Sequence, residues 1–414
     1  MIIIDNKQNC TGCSACVQAC PKQCISFEED EQGFRYPSIN YELCVNCGLC
    51  EKVCPCINEN EKTMPLDIYA AKNPDEEIRK DSSSGGIFTM LAESIIDEGG
   101  VVFGARFNEK WNVVHDYTET KEGLAAFRGS KYVQSIIGDT YKQVRDFLKA
   151  DRKVLFSGTP CQIAGLRLFL RKDYDNLYTV DFICHGVPSP GVFRWYLQEK
   201  INNYAARQSS EKIQFCSSPI HSIPKGDVLL PLGVSIEGIR FRDKREGWKK
   251  YSFVLLLAEA SAEGKKNTVL FSSNVCENTF LKGFCSDLYL RPSCHKCPSR
   301  DFKSGSDIII ADFLGQEYMF PEFDNDTGVS SVIVKTEKGR HLLSILKNPI
   351  IERKNIDQVL LYNPSLVFSK PTPSQSRKFW NMPLNMTFNA RVNKARTISF
   401  WQRVYIKLKS FIDR

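Results

Sequence analysis

The chain is 414 residues long, 42% apolar and 25% charged, with 17 cysteines and a formal net charge of +7. That length predicts roughly three domains, and the composition excludes wholesale disorder and collagen-like or heptad-repeat architectures. The start, Met1-Ile2-Ile3-Ile4-Asp5, has no basic segment and makes no secretory leader.

Apolar runs such as Phe253–Ala258 fall well short of the roughly 18 residues that a spanning helix needs. These features point to a cytoplasmic protein, where clustered cysteines read as metal ligands rather than disulfides.

Ten cysteines lie between positions 10 and 56. Cys10, Cys13, Cys16 and Cys20-Pro21 read C-x-x-C-x-x-C-x-x-x-C-P, and Cys44, Cys47, Cys50 and Cys54-Pro55 repeat this 34 residues later. This is the ferredoxin spacing for two 4Fe-4S clusters: three thiolates wrap one cubane and the fourth reaches across to the other. The spacing therefore predicts Cys10, Cys13, Cys16 and Cys54 on one cluster, and Cys44, Cys47, Cys50 and Cys20 on the second. Two structural zinc sites are the alternative, but zinc requires neither the third C-x-x-C step nor the Cys-Pro. Gly12 and Gly48 relieve the tight backbone between ligands, and Cys24 and Cys56 fall outside the pattern.

A polar stretch over 57–67 reads as a linker. Beyond it, a helix is expected over Gly85–Glu98, capped by Ser82, Ser83 or Ser84 and stopped by Gly99. Strands are expected over Val101–Arg106, Lys153–Ser157 and Tyr178–Ile183, and helices over Thr140–Lys149, Cys161–Leu170 and Val192–Asn202. This alternation predicts a largely parallel α/β sheet. The stretch Ile213–Ser272 reads instead as β-hairpins, taken as an insertion. Within it, Phe241–Tyr251 mixes aromatics and cations and reads as a solvated turn or a holder for a planar anion. Asp307–Ala311 and Ser331–Lys335 read as further strands.

Cys161 follows a strand at a helix start, where a thiolate is favoured, and Cys184 ends the next strand. Both positions fall at the sheet edge where α/β folds bind ligands. Cys294 and Cys297 form a C-x-x-C pair. Together these four suggest a third 4Fe-4S cluster, or else two structural cysteines beside a zinc half-site. Cys216, Cys276 and Cys285 lack partners at ligand spacing. His115, His185, His221, His295 and His341 are scattered, and His185 and His295 flank the proposed third cluster.

Residues 377–414 hold nine Lys or Arg and one acid, so the rest of the chain is nearly neutral. Ile398, Trp401, Val404, Tyr405, Leu408, Phe411 and Ile412 share a helical face, which suggests either a membrane surface at the inner face, an acidic partner protein or a helix docked on the body. No nucleic-acid reader motif accompanies the charge.

Taken together, the two ferredoxin motifs, Ser82-Ser83-Ser84-Gly85-Gly86, Gly129-Ser130-Lys131-Tyr132-Val133-Gln134, Gly158-Thr159-Pro160-Cys161-Gln162, Ile183-Cys184-His185-Gly186-Val187-Pro188-Ser189-Pro190 and Arg291-Pro292-Ser293-Cys294-His295-Lys296-Cys297 resemble the coenzyme F420 hydrogenase/dehydrogenase beta-subunit family. The resemblance spans roughly residues 1–370. It implies a flavoprotein with Fe-S clusters that passes electrons between clusters and FAD, and between FAD and a hydride carrier such as coenzyme F420. It also implies that the second cysteine constellation holds a cluster.

No G-x-G-x-x-G occurs, so the flavin pyrophosphate is expected at the Ser-Gly-Gly helix start, with Ser83, Ser84, Gly85, Gly86, Thr89 and Lys131 as its contacts. Asp312, which follows a strand, reads as lining the same crevice or as a solvated strand-end acid. The expected architecture is α+β: a two-cluster ferredoxin domain over 1–60, a linker over 61–67, an α/β flavin/Fe-S domain with a β-hairpin-rich insertion over 68–370, and a basic amphipathic tail over 371–414. The alternative function is an electron-transfer adapter that serves a partner enzyme and has no substrate of its own.

Overall fold

The computed structural model describes residues 1–208, 223–260, 266–323, 326–383 and 385–397. Its strands are β1 (Ile25–Glu29), β2 (Arg35–Ile39), β3 (Asp67–Lys72), β4 (Val101–Phe107), β5 (Val113–Thr118), β6 (Val154–Ser157), β7 (Leu177–Phe182), β8 (Val234–Asp243), β9 (Ser252–Ala260), β10 (Lys266–Asn274), β11 (Ile308–Asp312), β12 (Ser330–Val334) and β13 (Ile350–Arg353). The N-terminal unit carries one antiparallel pair, β1 with β2, in the register Ile25↔Ile39. The main sheet has eight strands in the order β13-β3-β12-β11-β7-β6-β4-β5, and a separate antiparallel sheet runs β10-β9-β8.

The expected parallel sheet is only half right. β4, β6, β7 and β11 pair in parallel, while β5, β12, β3 and β13 join antiparallel at the margins. The parallel strands are apolar runs such as Val101-Val102-Phe103 and Val154-Leu155-Phe156, which need cover on both faces. Helix Ile87–Asp97 covers one face through Ile87, Leu91 and Ile95. Helices Thr140–Lys149 and Pro160–Leu170 cover the other through Tyr141, Val144, Leu148, Ile163 and Leu166.

That second core also takes in Cys13, Ala15, Cys16, Cys50 and Val53, so the ferredoxin unit is packed into the body. Two glycine contacts show how closely it sits. A Cβ on Gly165, in helix Pro160–Leu170, would lie 2.9 Å from the Cys13 Sγ. A Cβ on Gly33 (φ +78°) would lie 2.6 Å from the Cα of Gly191, so the β1–β2 turn meets helix Pro190–Gln208 backbone to backbone. Beside it, Ser189 donates to the Gln32 carbonyl and Arg194 pairs with Glu29.

Helix Ile87–Asp97 begins two residues later than expected and has no side-chain cap. Gly86, at φ +79°, is its N-cap, because Ser82 is taken by the preceding helix, where its hydroxyl bonds the Ile78 carbonyl. Gly99, at φ +72°, follows the helix end. Thr140–Lys149 forms as expected, and Thr159 with Gln162 makes a capping box for helix Pro160–Leu170.

Helices Ser374–Asn381 and Phe388–Arg396 pack on the body, with Phe388 against Trp195 and Phe379 against Tyr289. This part of the basic tail is therefore docked rather than free. The apolar face from Ile398 to Ile412 lies outside the described residues, as do Cys216 and His221. Among the described residues, no helix is long and apolar enough to cross a membrane.

Candidate functional site

Cys10, Cys13, Cys16 and Cys54 stand close enough that their thiolates would repel one another. Gly12, at φ +71°, turns the chain between the first two of them. Burial pushes the Cys13 thiol up to about 12 and the Cys16 thiol higher, so neither ionises unless a cation compensates it. Cys20, Cys44, Cys47 and Cys50 line a second small cavity, with Gly48 at φ +72° between Cys47 and Cys50. Its Cys47 is exposed, whereas the first four are mostly buried.

The two cysteines outside the motif are not remote. Cys24 lines the second cavity, with its Sγ 3.4 Å from the Cys20 Sγ, and Cys56 hydrogen-bonds Cys54 and lowers that thiol to about 7. C-x-x-C spacing alone does not announce either contact.

Cys161, Cys184, Cys294 and Cys297 come from three separate segments and line one cavity. Burial drives the Cys161 thiol well above its ordinary value, so the helix N-terminus does not win there. Burial also raises Cys184, Cys294 (to about 11) and Cys297. The Val187 amide donates to the Cys294 Sγ at 3.4 Å, and the Thr159 hydroxyl lies 3.2 Å from the Cys161 Sγ. The thiols stand around cavities rather than at a point: among the described residues, no three His, Cys, Asp or Glu side chains could share one metal ion.

The first and third sets are neighbours. Thr11 lines the third cavity, and Cys161 lies four residues, about one helical turn, before Gly165, the residue that meets Cys13.

A cleft of about 410 Å³ adjoins the third cavity, within the range of small-molecule sites. Phe182, Ile183, Cys184, Gly186 and Val187 line both spaces. Ser83, Ser84, Gly86 and Lys131 line the cleft. Gly85 and Thr89 do not: a Cβ on Gly85 would lie 2.5 Å from the Ala71 carbonyl, and the buried Thr89 hydroxyl accepts from Arg128 Nε. The serine hydroxyls are partly engaged, Ser83 with Ser130 and Ser84 with the Val329 carbonyl. The uncapped first turn, at Gly86, Ile87 and Phe88, faces the cleft. Lys131 spends two of its three donors on the Ala126 and Arg128 carbonyls, and burial lowers it to about 7.

The segment Phe241–Tyr251 is not a solvated turn. Phe241 and Trp248 are buried, Trp248 Nε1 donates to the Ser83 carbonyl, and Lys244 Nζ donates to the carbonyls of Arg79, Ser84 and Thr327. Arg242 lines the cleft and pairs with Asp312 at 2.6 Å. The β8–β9 loop thus holds the serine turn from behind.

His115 is another cleft residue that spacing did not single out. Its Nε2 donates to the Ser157 carbonyl and its Nδ1 accepts from Ser135, which in turn accepts from Gln162. Burial lowers His115 to about 4, so it is neutral. His185 Nε2 lies 2.5 Å from Asp287 Oδ1 at the cleft edge, and His295 Nδ1 meets the Lys370 carbonyl. Cys276 and Cys285 are exposed.

Comparison with known proteins accounts for most of these segments. Residues 9–58 match the 4Fe-4S dicluster domain, 68–139 match the N-terminal model of the coenzyme F420 hydrogenase/dehydrogenase beta subunit, and 151–359 match its C-terminal model. The chain is similar to one of the subunits of the F(420)H(2) dehydrogenase of Methanosarcina mazei, 24% identical over 172 residues, which are 38% of this chain and 48% of that protein. It is also similar to the coenzyme F420-dependent sulfite reductase of Methanocaldococcus jannaschii, 23% identical over 360 residues, which are 84% of this chain and 47% of that protein. It thus spans about half the length of these relatives. A solved F420-reducing [NiFe] hydrogenase complex of Methanosarcina barkeri contains a chain matched with TM-score 0.41 and 19% identity, covering 80% of this chain and 91% of that one. The N-terminal segment is a 4Fe-4S dicluster domain, and the chain belongs to the coenzyme F420 hydrogenase/dehydrogenase beta-subunit family.

Proposed function

We propose that the chain is an iron-sulfur flavoprotein oxidoreductase. It passes electrons between a redox partner at its ferredoxin end and FAD in the cleft, and onward to or from a hydride carrier of the coenzyme F420 kind or another acceptor. The observation that carries this reading is the shared lining of the cleft and the third cavity around Cys184.

Three thiol sets would hold the clusters: Cys10, Cys13, Cys16 and Cys54; Cys44, Cys47, Cys50 and Cys20; Cys161, Cys184, Cys294 and Cys297. A cubane takes one thiolate at each of four irons, so its ligands stand around a volume; the second and third sets surround cavities in that way, and the thiols of the first set lie close together. When bound, FAD supplies the exchange between single electrons and a hydride. The Gly86–Phe88 amides and the third donor of Lys131 suit its pyrophosphate. Anaerobic protein should contain about twelve irons and about one FAD per chain. Absence of flavin after cluster reconstitution would remove the hydride half of the reading.

Lys131 gives a pH signature. An anion in the cleft binds best while Lys131 is charged, so flavin retention should weaken as pH rises through about 7. The contribution of Lys131 to folding runs the other way. Between about 7 and its ordinary 10.5 the unfolded chain binds more protons, so stability from this group rises with pH. Lys131→Met should lose roughly ten- to a hundredfold in flavin affinity and flatten the pH profile, by the usual strength of a charged hydrogen bond.

The adapter reading is favoured by the surface around the exposed Cys47. Ile3, Tyr41, Leu43 and Val45 are large apolar side chains, each more than half exposed. An adapter would show redox-active clusters but no acceptor reduction in isolation.

A further inference from the structure

Two buried arginines sit beside the inner thiol sets with no carboxylate. Arg291 is 1% exposed. Its Nε donates to the Cys10 carbonyl at 2.7 Å, its Nη2 to the Cys10 Sγ at 3.4 Å and the Arg35 carbonyl at 2.9 Å, and its Nη1 to Gln134 Oε1 at 3.0 Å. Its guanidinium lies 4.3 Å from the Tyr36 ring centroid. Its own carbonyl accepts from the Cys294 amide, so this one residue joins the first and third sets. Arg300 is 8% exposed and lines the third cavity. It donates to the carbonyls of Ser365, Phe368 and His185, leaves its buried Nε without a partner, and favours the thiolates of Cys184 and Cys297.

Other buried arginines behave differently. Arg242 pairs with Asp312 and Arg194 with Glu29. Arg391 also lacks an acid, but it spends its donors on four carbonyls and meets no sulfur. A buried cation without a counter-charge is costly. Four thiolates around a cluster supply net negative charge at just these places. Among the described residues, the outer set has no such cation: Lys22, which lines its cavity, is exposed, and the Met1 amine is paired with Glu51.

Resting on the cluster reading above, we propose that Arg291 and Arg300 are the counter-ions of the first and third thiol sets, and that they hold both sets at midpoints no lower than that of the outer set, Cys20, Cys44, Cys47 and Cys50. Burial alone disfavours the extra negative charge of a reduced centre and would push both inner centres below the solvated outer one. A fixed cation opposes this, because it stabilises the reduced state most. With both arginines, an electron donated to the outer set by a low-potential one-electron carrier protein meets no uphill step on its way inward. No proton or bond change accompanies the transfer between sets.

The test is an EPR-monitored redox titration of anaerobic full-length protein, with Cys47→Ser used to identify the outer signal. In the wild-type chain both inner centres should titrate no lower than the outer one. Arg291→Gln should lower the midpoint of one inner centre most and Arg300→Gln that of the other, each leaving the outer centre in place, and Arg→Lys at either site should restore most of the shift. The proposal is overturned if iron-replete glutamine variants titrate like wild type, or if the wild-type outer centre lies highest. If a glutamine variant loses iron, the wild-type order and the lysine variant decide. If the wild-type chain holds only about eight irons, by the four-per-cubane count, the third-cluster reading fails, and the Arg291 arm still stands or falls by itself.

Discussion

Cys161→Ser should remove about four of about twelve irons per chain and stop flavin reduction by a low-potential carrier protein, while flavin content is unchanged. The reason lies in where Cys161 stands. It lines the third cavity with Cys184, Cys294 and Cys297, and it lies about one turn of helix before Gly165, where Cys13 of the first set makes contact. The third set therefore lies between the ferredoxin unit and the cleft. A serine hydroxyl is a poor substitute for a thiolate on iron. Dithionite, small enough to reach the cleft directly, should still reduce the flavin. Cys294→Ser should behave in the same way, and Cys276→Ser, at an exposed position, should change nothing. Full iron content in Cys161→Ser would refute the third cluster.

The second large effect is on stability. Arg391→Met should destabilise the chain by about 3 kcal/mol or more, read from the urea midpoint, because buried acceptors lose their donor. Arg391 Nε donates to the Phe379 carbonyl, and its other nitrogens reach the carbonyls of Trp380, Met382 and Pro383. These carbonyls lie at and just beyond the end of helix Ser374–Asn381, where orphan carbonyls collect. The guanidinium also faces the Trp195 and Phe379 rings. Arg391→Lys should recover only part of the loss, since a point charge does not replace a planar fork. Iron content should stay at its wild-type value in both variants.

What the sequence made legible was local. The doubled C-x-x-C motif encodes its own geometry, and strands such as Val101–Phe107 advertise themselves as apolar runs between turn signals. Helix Thr140–Lys149 carries its period within ten residues. What it hid was set by distant partners. One margin of the main sheet is antiparallel because β12 pairs with both β11 and β3, a choice that no local pattern encodes; the other is the local β4–β5 hairpin.

The serine turn looked like a helix cap, yet the cap is Gly86, and the hydroxyls of Ser83 and Ser84 are bound by Ser130 and Val329, some 47 and 245 residues away. Lys244 and Trp248 read as a solvated turn because their acceptors, the carbonyls of Ser84 and Ser83, lie about 160 residues earlier. The basic tail reads as bound to a membrane surface, bound to an acidic partner or docked on the body; for Ser374–Asn381 and Phe388–Arg396 the docked alternative holds, and Arg391 is one of the most buried side chains among the described residues.

The bare contact between Gly33 and Gly191 bears on inheritance. A two-cluster ferredoxin looks like a cassette that recombination could exchange at the 57–67 joint. Here the β1–β2 turn fits only where a second chain segment has also dispensed with its side chain, and Cys13 fits only over Gly165. A donor ferredoxin with any larger residue at the turn would not seat. An exchange at that joint therefore seats only if the incoming unit has glycine at the turn facing Gly191 and a side chain no larger than cysteine over Gly165.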